Sequence, residues 1–291
     1  MKICNACSHQ FNSDTWDCPA CGHSPLEILG FPALAPDLAT SDEGFKPEYY
    51  AQLARLEAGN FWFQSRNTLI ITLLKKYCSA MGSFMEIGCG TGFVLSGISQ
   101  TFPESHLTGS EIYSNGLEYA ANRVQGAQFI QMDARHIPFE SHFDAIGAFD
   151  VLEHIEQDEL VISQLSKALK PGGILLVTVP QHPDLWSLQD EMACHVRRYT
   201  ATELKQKVKD AGFEIVDMGS FVSLLLPVMW WSRLMGKKVK KEEYNPMKEL
   251  SIGKLPNLIL RAIMYIEIGC MRAGLRFPAG GSLFLFARKR N

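Results

Sequence analysis

Apolar and polar positions between Ser83 and Val179 alternate between two patterns. Short apolar runs, the mark of buried strands, are separated by stretches in which apolar residues recur every three or four positions, the mark of amphipathic helices. Strands are predicted over Ser83–Ile87, His106–Glu111, Gln128–Met132, Phe143–Phe149 and Ile174–Val179. Helices are predicted over Gly92–Gln100, Asn115–Val124 and Glu156–Lys170. The last carries Leu160, Val161, Leu165, Ala168 and Leu169 on one face and is stopped by Pro171-Gly172-Gly173. Upstream, helical patterns begin at Tyr49 and again over Asn67–Tyr77. Downstream, Thr200-x-x-Glu203 is a capping box that opens a helix closing at Gly212, and Phe213–Ser220 and Ser282–Arg288 read as two final strands.

Strand–helix alternation builds a parallel sheet with helices on both faces. The expected fold class is therefore α/β, with a mostly parallel seven-stranded sheet. Residues 1–27 form a separate cysteine-rich module. Residues 28–48, with Pro32, Pro36 and Pro47, read as a linker, and 49–291 as the α/β domain. Residues 221–281 interrupt the final strand pair. Rich in Leu, Ile, Met and Trp, they read as a helical insert before the last strand.

Composition narrows the function classes. A chain of 291 residues, 46% hydrophobic and 20% charged, can bury one large core beside a small module. Its net charge of -3, from 28 Lys and Arg against 31 Asp and Glu, counts against a general nucleic-acid binder. Met1-Lys2-Ile3-Cys4 lacks the apolar stretch of a signal peptide, and no uncharged apolar run reaches the roughly 18 residues of a membrane span. A cytoplasmic protein is expected.

Four of the eight cysteines lie in the first 21 residues, as Cys4-x-x-Cys7 and Cys18-x-x-Cys21. Each pair can wrap two thiolates round one tetrahedral ion, which makes residues 1–27 a zinc ribbon. Disulfides are the competing explanation, and a reducing compartment disfavours them. With all four positions filled by thiolates, the zinc is structural, and the ribbon is also a candidate dock for a protein partner. Cys78, Cys89, Cys194 and Cys270 are scattered and read as small buried hydrophobes.

Glu86-Ile87-Gly88-Cys89-Gly90-Thr91-Gly92 falls where the first strand of the α/β domain turns into a helix. Glycines at alternate positions let the backbone approach a ligand closely. A dinucleotide fingerprint needs glycine where Phe93 stands, and the Gly-Lys-Ser/Thr of a P-loop is absent. Glu86 suits a cation or an ammonium group. Glu111 ends the second strand, where a carboxylate can accept the hydrogen bonds of a ribose diol, and Asp133 ends the third, where it can meet an adenine amino group. The three acids share the carboxyl edge of one sheet.

These motifs, with Phe149-Asp150-Val151-Leu152-Glu153-His154 and Leu169-Lys170-Pro171-Gly172-Gly173, resemble in order and spacing the class I S-adenosylmethionine-dependent methyltransferases, over roughly Phe61 to Lys289. The resemblance implies a Rossmann-like sheet with a late antiparallel strand pair and S-adenosylmethionine as cofactor. It places the loop residues Glu86, Gly88, Cys89, Gly90 and Gly92 round the methionine and ribose part, Glu111 and Ile112 at the ribose, and Asp133 and Ala134 at the adenine. Phe149 opens the segment that lines the methyl-transfer channel. Phe61-Trp62-Phe63-Gln64-Ser65-Arg66-Asn67 resembles a segment that caps the cofactor in some members, with Arg66 pairing the cofactor carboxylate and Trp62 near the substrate. The alternative is an aromatic helix face packed on the sheet.

Methyl transfer to a hydroxyl needs a general base. His154 and His195 are the catalytic candidates, against a helix-start histidine bonded to backbone. Arg197, Arg198 and Tyr199 are placed to hold an anionic acceptor, against a structural salt bridge. A small-molecule or lipid-linked acceptor is expected, and RNA or protein methylation through the ribbon, or a non-catalytic adaptor, are the rivals. In the insert, Trp230 and Trp231 precede Arg233, Lys237, Lys238, Lys240 and Lys241, so 221–241 reads as a peripheral contact with the inner face of a membrane. A lid, a dimer face and a helix pair packed on the core are the alternatives.

Overall fold

A computed structural model describes residues 1–40, 47–236 and 250–291, side chains at 47, 48 and 234–236 excepted. Strands β1 (Lys2–Ile3) and β2 (Gln10–Phe11) form an antiparallel pair within the cysteine module. The module docks on the body through Ile3 N–H to Pro138 O (2.9 Å), Glu140 N–H to Met1 O (2.9 Å) and an edge contact of Trp16 on Phe139 at 5.5 Å.

The stretch that follows departs from the expected linker. β3 (Leu26–Ile28) and β4 (Phe31–Ala33) make a hairpin, and Ala33 pairs in parallel with Gln131. Gln131 fixes this seam: its amide donates to Ala35 O and Ile112 O and accepts from Ala35 N–H. Pro32 is tolerated because it sits in a short strand near the sheet edge. Part of this range, 41–46, lies outside the described residues.

Then come α1 (Pro47–Leu56), α2 (Phe61–Tyr77), β5 (Ser83–Ile87), α3 (Phe93–Thr101), β6 (His106–Glu111), α4 (Ser114–Arg123), β7 (Gln128–Gln131), β8 (Phe143–Phe149) and α5 (Asp158–Ala168). The remainder is β9 (Leu169–Pro180), α6 (Leu188–Met192), α7 (Ala201–Asp210), β10 (Phe213–Phe221), α8 (Leu226–Gly236), α9 (Lys254–Arg272) and β11 (Ser282–Lys289). The sheet runs β10-β11-β9-β8-β5-β6-β7-β4-β3, nine strands where seven were expected, the extra two being the hairpin. β11 is antiparallel to both β9 and β10, and the strands from β9 to β7 are parallel.

Strand alternation assigns the two faces. Phe84, Ala145, Phe149 and Leu176 bury against Leu69 and Leu73 of α2, Leu95 of α3 and Leu117 of α4. Met85, Ile87, Ile146 and Val177 bury against Val161 and Leu165 of α5 and Leu204 and Val208 of α7. Helices therefore cover both faces.

The helix expected to reach Lys170 ends at Ala168, because Pro171 disfavours a helical conformation in the residue before it. Leu169 already pairs with Phe143, and the ladder slips before Ala145 meets Ile174, which absorbs the Pro-Gly-Gly turn. Within the insert, α9 lies along α2. Asn257 accepts from Phe61 N–H and donates to Gly59 O, and Asn60 donates to Leu250 O, each at 2.8 Å. Buried Glu267 accepts from Ser223 and Leu224 N–H, tying α9 to the chain before α8. Lys237, Lys238, Lys240 and Lys241 lie outside the described residues. Arg233, expected to face lipid, bonds Ser187 and Gln189. Among the described residues no helix is long and apolar enough to cross a membrane.

Candidate functional site

A cavity of about 780 Å³ opens at the carboxyl ends of β5 to β8, the crevice where open α/β sheets place ligands. Its floor is the turn after β5. Gly88 and Gly90 both have left-handed backbone, with φ of +65° and +51°. A Cβ on Gly90 would meet nothing within 4 Å, so the backbone there lies open to an approaching ligand.

Glu111 forms the next wall. Its Oε2 accepts from Gly90 N–H (3.0 Å) and its Oε1 from Ile112 N–H (2.8 Å), so the glycine turn and the end of β6 hold one carboxylate between them. Burial pushes this carboxyl up, while the N–H groups of Ile112, Gly90 and Tyr113 oppose the shift. Each oxygen keeps acceptor capacity for a ligand donor. Asp133 follows at the end of β7. Burial raises its carboxyl, but the bonds from Arg135 outweigh that and hold it below the usual range. Arg135 grips it at 2.7 to 3.0 Å. Ala134 and Ile112 line the same wall, and Tyr50 and Leu53 of α1 close it from the opposite side.

Glu86 is buried beneath the turn, on the face shared with Phe84, and its Oε2 has no hydrogen-bond partner. Burial pushes its carboxyl up to about 8, although Arg66 and the Leu95 N–H favour the charged form. Arg66 stacks on Trp62 at 4.4 Å and pairs with Asp150, a cavity-wall residue with φ of +57°. Trp62 sits in the first turn of α2, whose N-cap is Asn60, and packs edge-on against Phe63 at 4.9 Å. Cys89 and Phe149 are buried in the α2–α4 core, away from the cavity, and Gly92 caps α3.

On the far side, His154 stands in the cavity wall, open to it yet crowded by protein. That crowding and then the neighbouring His195 hold its pKa near 4, so the imidazole is neutral at pH 7. The two rings are 4.7 Å apart, and His195 Nδ1 is 2.9 Å from Asp190 Oδ1. Arg197, Arg198 and Tyr199, expected to hold an acceptor, are engaged inside the protein instead. Arg197 pairs with Asp158 at 2.8 Å. Arg198 is buried and pairs with Asp190 at 2.8 Å and with Gln181 O at 3.0 Å. Tyr199 is fully buried and donates to Asp158 at 2.6 Å. None of the three lines the cavity. The sequence offered no sign of Arg135 or of the α1 wall, because neither belongs to a recurring motif.

In the amino-terminal module, Cys4 and Cys21 Sγ are 3.7 Å apart, as are Cys7 and Cys18. A tetrahedral ion with Zn–S bonds of about 2.3 Å needs sulfur–sulfur edges of about 3.8 Å, whereas a disulfide needs about 2.05 Å. All four sulfurs lie within 4.8 Å of one another, so the cluster fits a tetrahedral ion. The two knuckles are built alike. Ser8 (φ +59°) and Gly22 (φ +72°) turn the chain, with Ser8 N–H on Cys4 O and Gly22 N–H on Cys18 O, both 2.9 Å.

A glycine turn, a ribose-competent acid and a third-strand acid round one crevice define a nucleoside-binding α/β fold. The profile of a family described as "Methyltransferase domain" matches residues 61–218, more than half of the chain, and the chain belongs to that family. It is 30% identical over 97 residues to the fatty-acid O-methyltransferase of Mycolicibacterium smegmatis, covering 32% of this chain and 35% of that one. It is 28% identical over 117 residues to the malonyl-[acyl-carrier protein] O-methyltransferase of Bacillus cereus, covering 39% and 44%. The chain thus spans less than half the length of these two curated relatives. Phosphoethanolamine N-methyltransferase 2 of Haemonchus contortus, solved with S-adenosyl-L-methionine, shares the fold. Its TM-score is 0.57 at 17% identity, over 86% of this chain and 59% of that one.

Proposed function

We propose that this chain binds S-adenosylmethionine in the 780 Å³ cavity and directs its methyl group to a small-molecule or lipid-linked acceptor. The observation that carries the reading is Glu111, a carboxylate fixed by the Gly90 and Ile112 N–H groups and presented to the cavity. When bound, the cofactor supplies an electrophilic methyl on a sulfonium. The Gly88–Gly90 backbone gives it close approach, Glu111 accepts from the ribose hydroxyls, and Asp133 and Ala134 flank the adenine. Glu86 suits the ammonium, and Arg66, held at Asp150, is the guanidinium at hand for the carboxylate. His154 lies on the acceptor side with His195 behind it, and the protein contributes alignment and a dry site, which can amount to about 7–11 kcal/mol. The cysteine module holds a structural zinc.

The names of the fatty-acid and acyl-carrier relatives support an acyl or lipid-type acceptor. Trp230 and Trp231, 51% and 68% exposed on α8, support a lipid-facing surface beside the domain. The deciding experiment is titration calorimetry with S-adenosylhomocysteine and with NADH on the wild type and on Glu111→Ala. S-adenosylhomocysteine should bind more tightly, and the variant should lose at least tenfold, since hydrogen bonds to a charged group are worth roughly 1.5–3 kcal/mol. Preference for NADH sinks the reading. Methyl-labelled S-adenosylmethionine offered with a cell extract then reports the acceptor: label in lipid or small molecules supports it, label in RNA or protein replaces it, and binding without label favours an adaptor.

A further inference from the structure

The short helical turn Leu152–His154 and the segment following α6 bring three metal-ligating side chains together beside the cavity. The donor atoms of Glu153, His154 and His195 all lie within 4.8 Å of one another. His195 Nε2 is 4.0 Å from Glu153 Oε1, beyond hydrogen-bond reach.

Two features show that this triangle lacks a component. Glu153 is fully buried and neither carboxylate oxygen has a hydrogen-bond partner. A buried carboxylate with no donor is a costly arrangement unless a cation completes it. Protonation alone would not repair it, because the acceptor facing it, His195 Nε2, stands at 4.0 Å, beyond hydrogen-bond reach. The second feature is His195. Its Nδ1 is bonded to Asp190, itself gripped by Arg198, and a carboxylate can only accept. Nδ1 therefore carries the proton, and the Nε2 lone pair is turned toward the Glu153 oxygens. Carboxylate–histidine pairs orient metal-binding imidazoles in this way.

We propose that Glu153, His154 and His195 bind a divalent first-row transition-metal ion whose open coordination positions face the cavity. A triangle of this size puts a central ion within about 2.8 Å of each donor, so a shift of about 0.7 Å reaches ordinary Zn–N and Zn–O lengths. Two imidazoles and one carboxylate suit Mn²⁺, Fe²⁺, Co²⁺ or Zn²⁺, whereas Ca²⁺ and Mg²⁺ prefer all-oxygen sets. His154 lines the cavity, so water or an oxygen ligand can complete the shell. The site is separate from the four-thiolate cluster, which is closed and soft, and its metal binding is measurable without cofactor or acceptor.

Mn²⁺ discriminates the two sites, because thiolates bind it weakly. Full-length protein carrying zinc in the ribbon is titrated with Mn²⁺, and bound ion is read from loss of the free-ion electron paramagnetic resonance signal. The wild type should retain one Mn²⁺ per chain and melt at a higher temperature with it. Glu153→Gln, nearly isosteric, should lose the ion and melt no lower than the metal-free wild type. His154→Ala, at an exposed position that keeps the fold, should bind at least tenfold more weakly. A wild type that retains no Mn²⁺ and no zinc beyond the ribbon's overturns the proposal. So does Mn²⁺ binding by His154→Ala as tight as the wild type's.

Discussion

A Cβ placed on Gly88 would lie 2.5 Å from Cγ2 of Val151. The turn after β5 and the turn after β8 thus pack backbone against side chain at the centre of the cavity floor. Gly88 also has φ of +65°, a conformation that costs an L-residue about 1–2 kcal/mol. Overpacking adds about 1–3 kcal/mol. Gly88→Ala should therefore lose about 2–5 kcal/mol in urea unfolding and bind S-adenosylhomocysteine at least tenfold more weakly. Val151→Ala in the same chain should recover part of the stability, since it removes the clashing methyls but not the backbone strain.

Glu86 gives a pH dependence with a defined sign. Its folded-state pKa of about 8 stands above the ordinary value of 4.5, first because it is buried. Of the charged groups that face it, Arg66 favours ionisation, whereas Glu57 and Glu111 oppose it. A raised carboxyl contributes stability that is fully present below about pH 4.5 and is lost as pH rises through 8, by up to about 5 kcal/mol. Between pH 5 and 8.5 the wild type should lose more unfolding free energy than Glu86→Gln, and parallel profiles would refute the assignment. An ammonium ligand at Glu86 should also expel this proton. S-adenosylhomocysteine binding at pH 7 should then release up to one proton, read from the buffer dependence of the calorimetric enthalpy, and Glu86→Gln should release none.

The central sheet was legible because its strands are buried on both faces and bounded by glycine or charge: β5, β6 and β8 fall where the apolar runs end. The placement of Glu111 at the end of β6 and of Asp133 just past β7 was legible for a related reason, each being the first acid to close a strand-like run. What escaped notice depends on contacts across long separations. Gln131 recruits the 26–33 hairpin into the sheet over 96 residues, and nothing in a proline-bearing stretch announces that partner. Arg197, Arg198 and Tyr199 have the composition of an anion site, yet Asp158 and Asp190 neutralise them from other elements. Glu153 stood in full view beside His154, but its unpartnered burial is a property of the folded chain alone.

Arg198 tests that inward network. Its guanidinium is buried against Asp190 and Gln181 O, so Arg198→Ala leaves a buried carboxylate short of its cationic partner. Breaking a buried pair costs about 3–5 kcal/mol, and the retained His195 and Ser187 bonds to Asp190 favour the lower figure. The expected result is a fall of about 3 kcal/mol in unfolding free energy. A variant as stable as the wild type would return Arg198 to the acceptor-binding role that its sequence context suggested.

The cysteine module makes the last prediction, and its docking decides how large the effect is. Cys4 and Cys18 are buried with Phe11 in a core of three residues, too small to hold a fold without a cross-link. On the proposed zinc site, the metal would supply most of the module's stability, as it does in small zinc domains. A mercurial reagent that caps thiols should release one zinc per chain, and Cys7→Ser or Cys21→Ser should retain none at the ribbon. Loss of the ion should undock Trp16 from Phe139, changing a fluorescence component that is absent from Trp16→Phe. The body should survive, because the module joins it through one β-bridge, Lys2 to Phe139, a few hydrogen bonds and the packing of Trp16 on Phe139, while the sheet is held by two far larger cores. Far-ultraviolet circular dichroism of the stripped protein should therefore keep most of its signal. Collapse of the whole spectrum on zinc removal would mean that the ribbon, small as it is, holds the body together through the 138–140 segment.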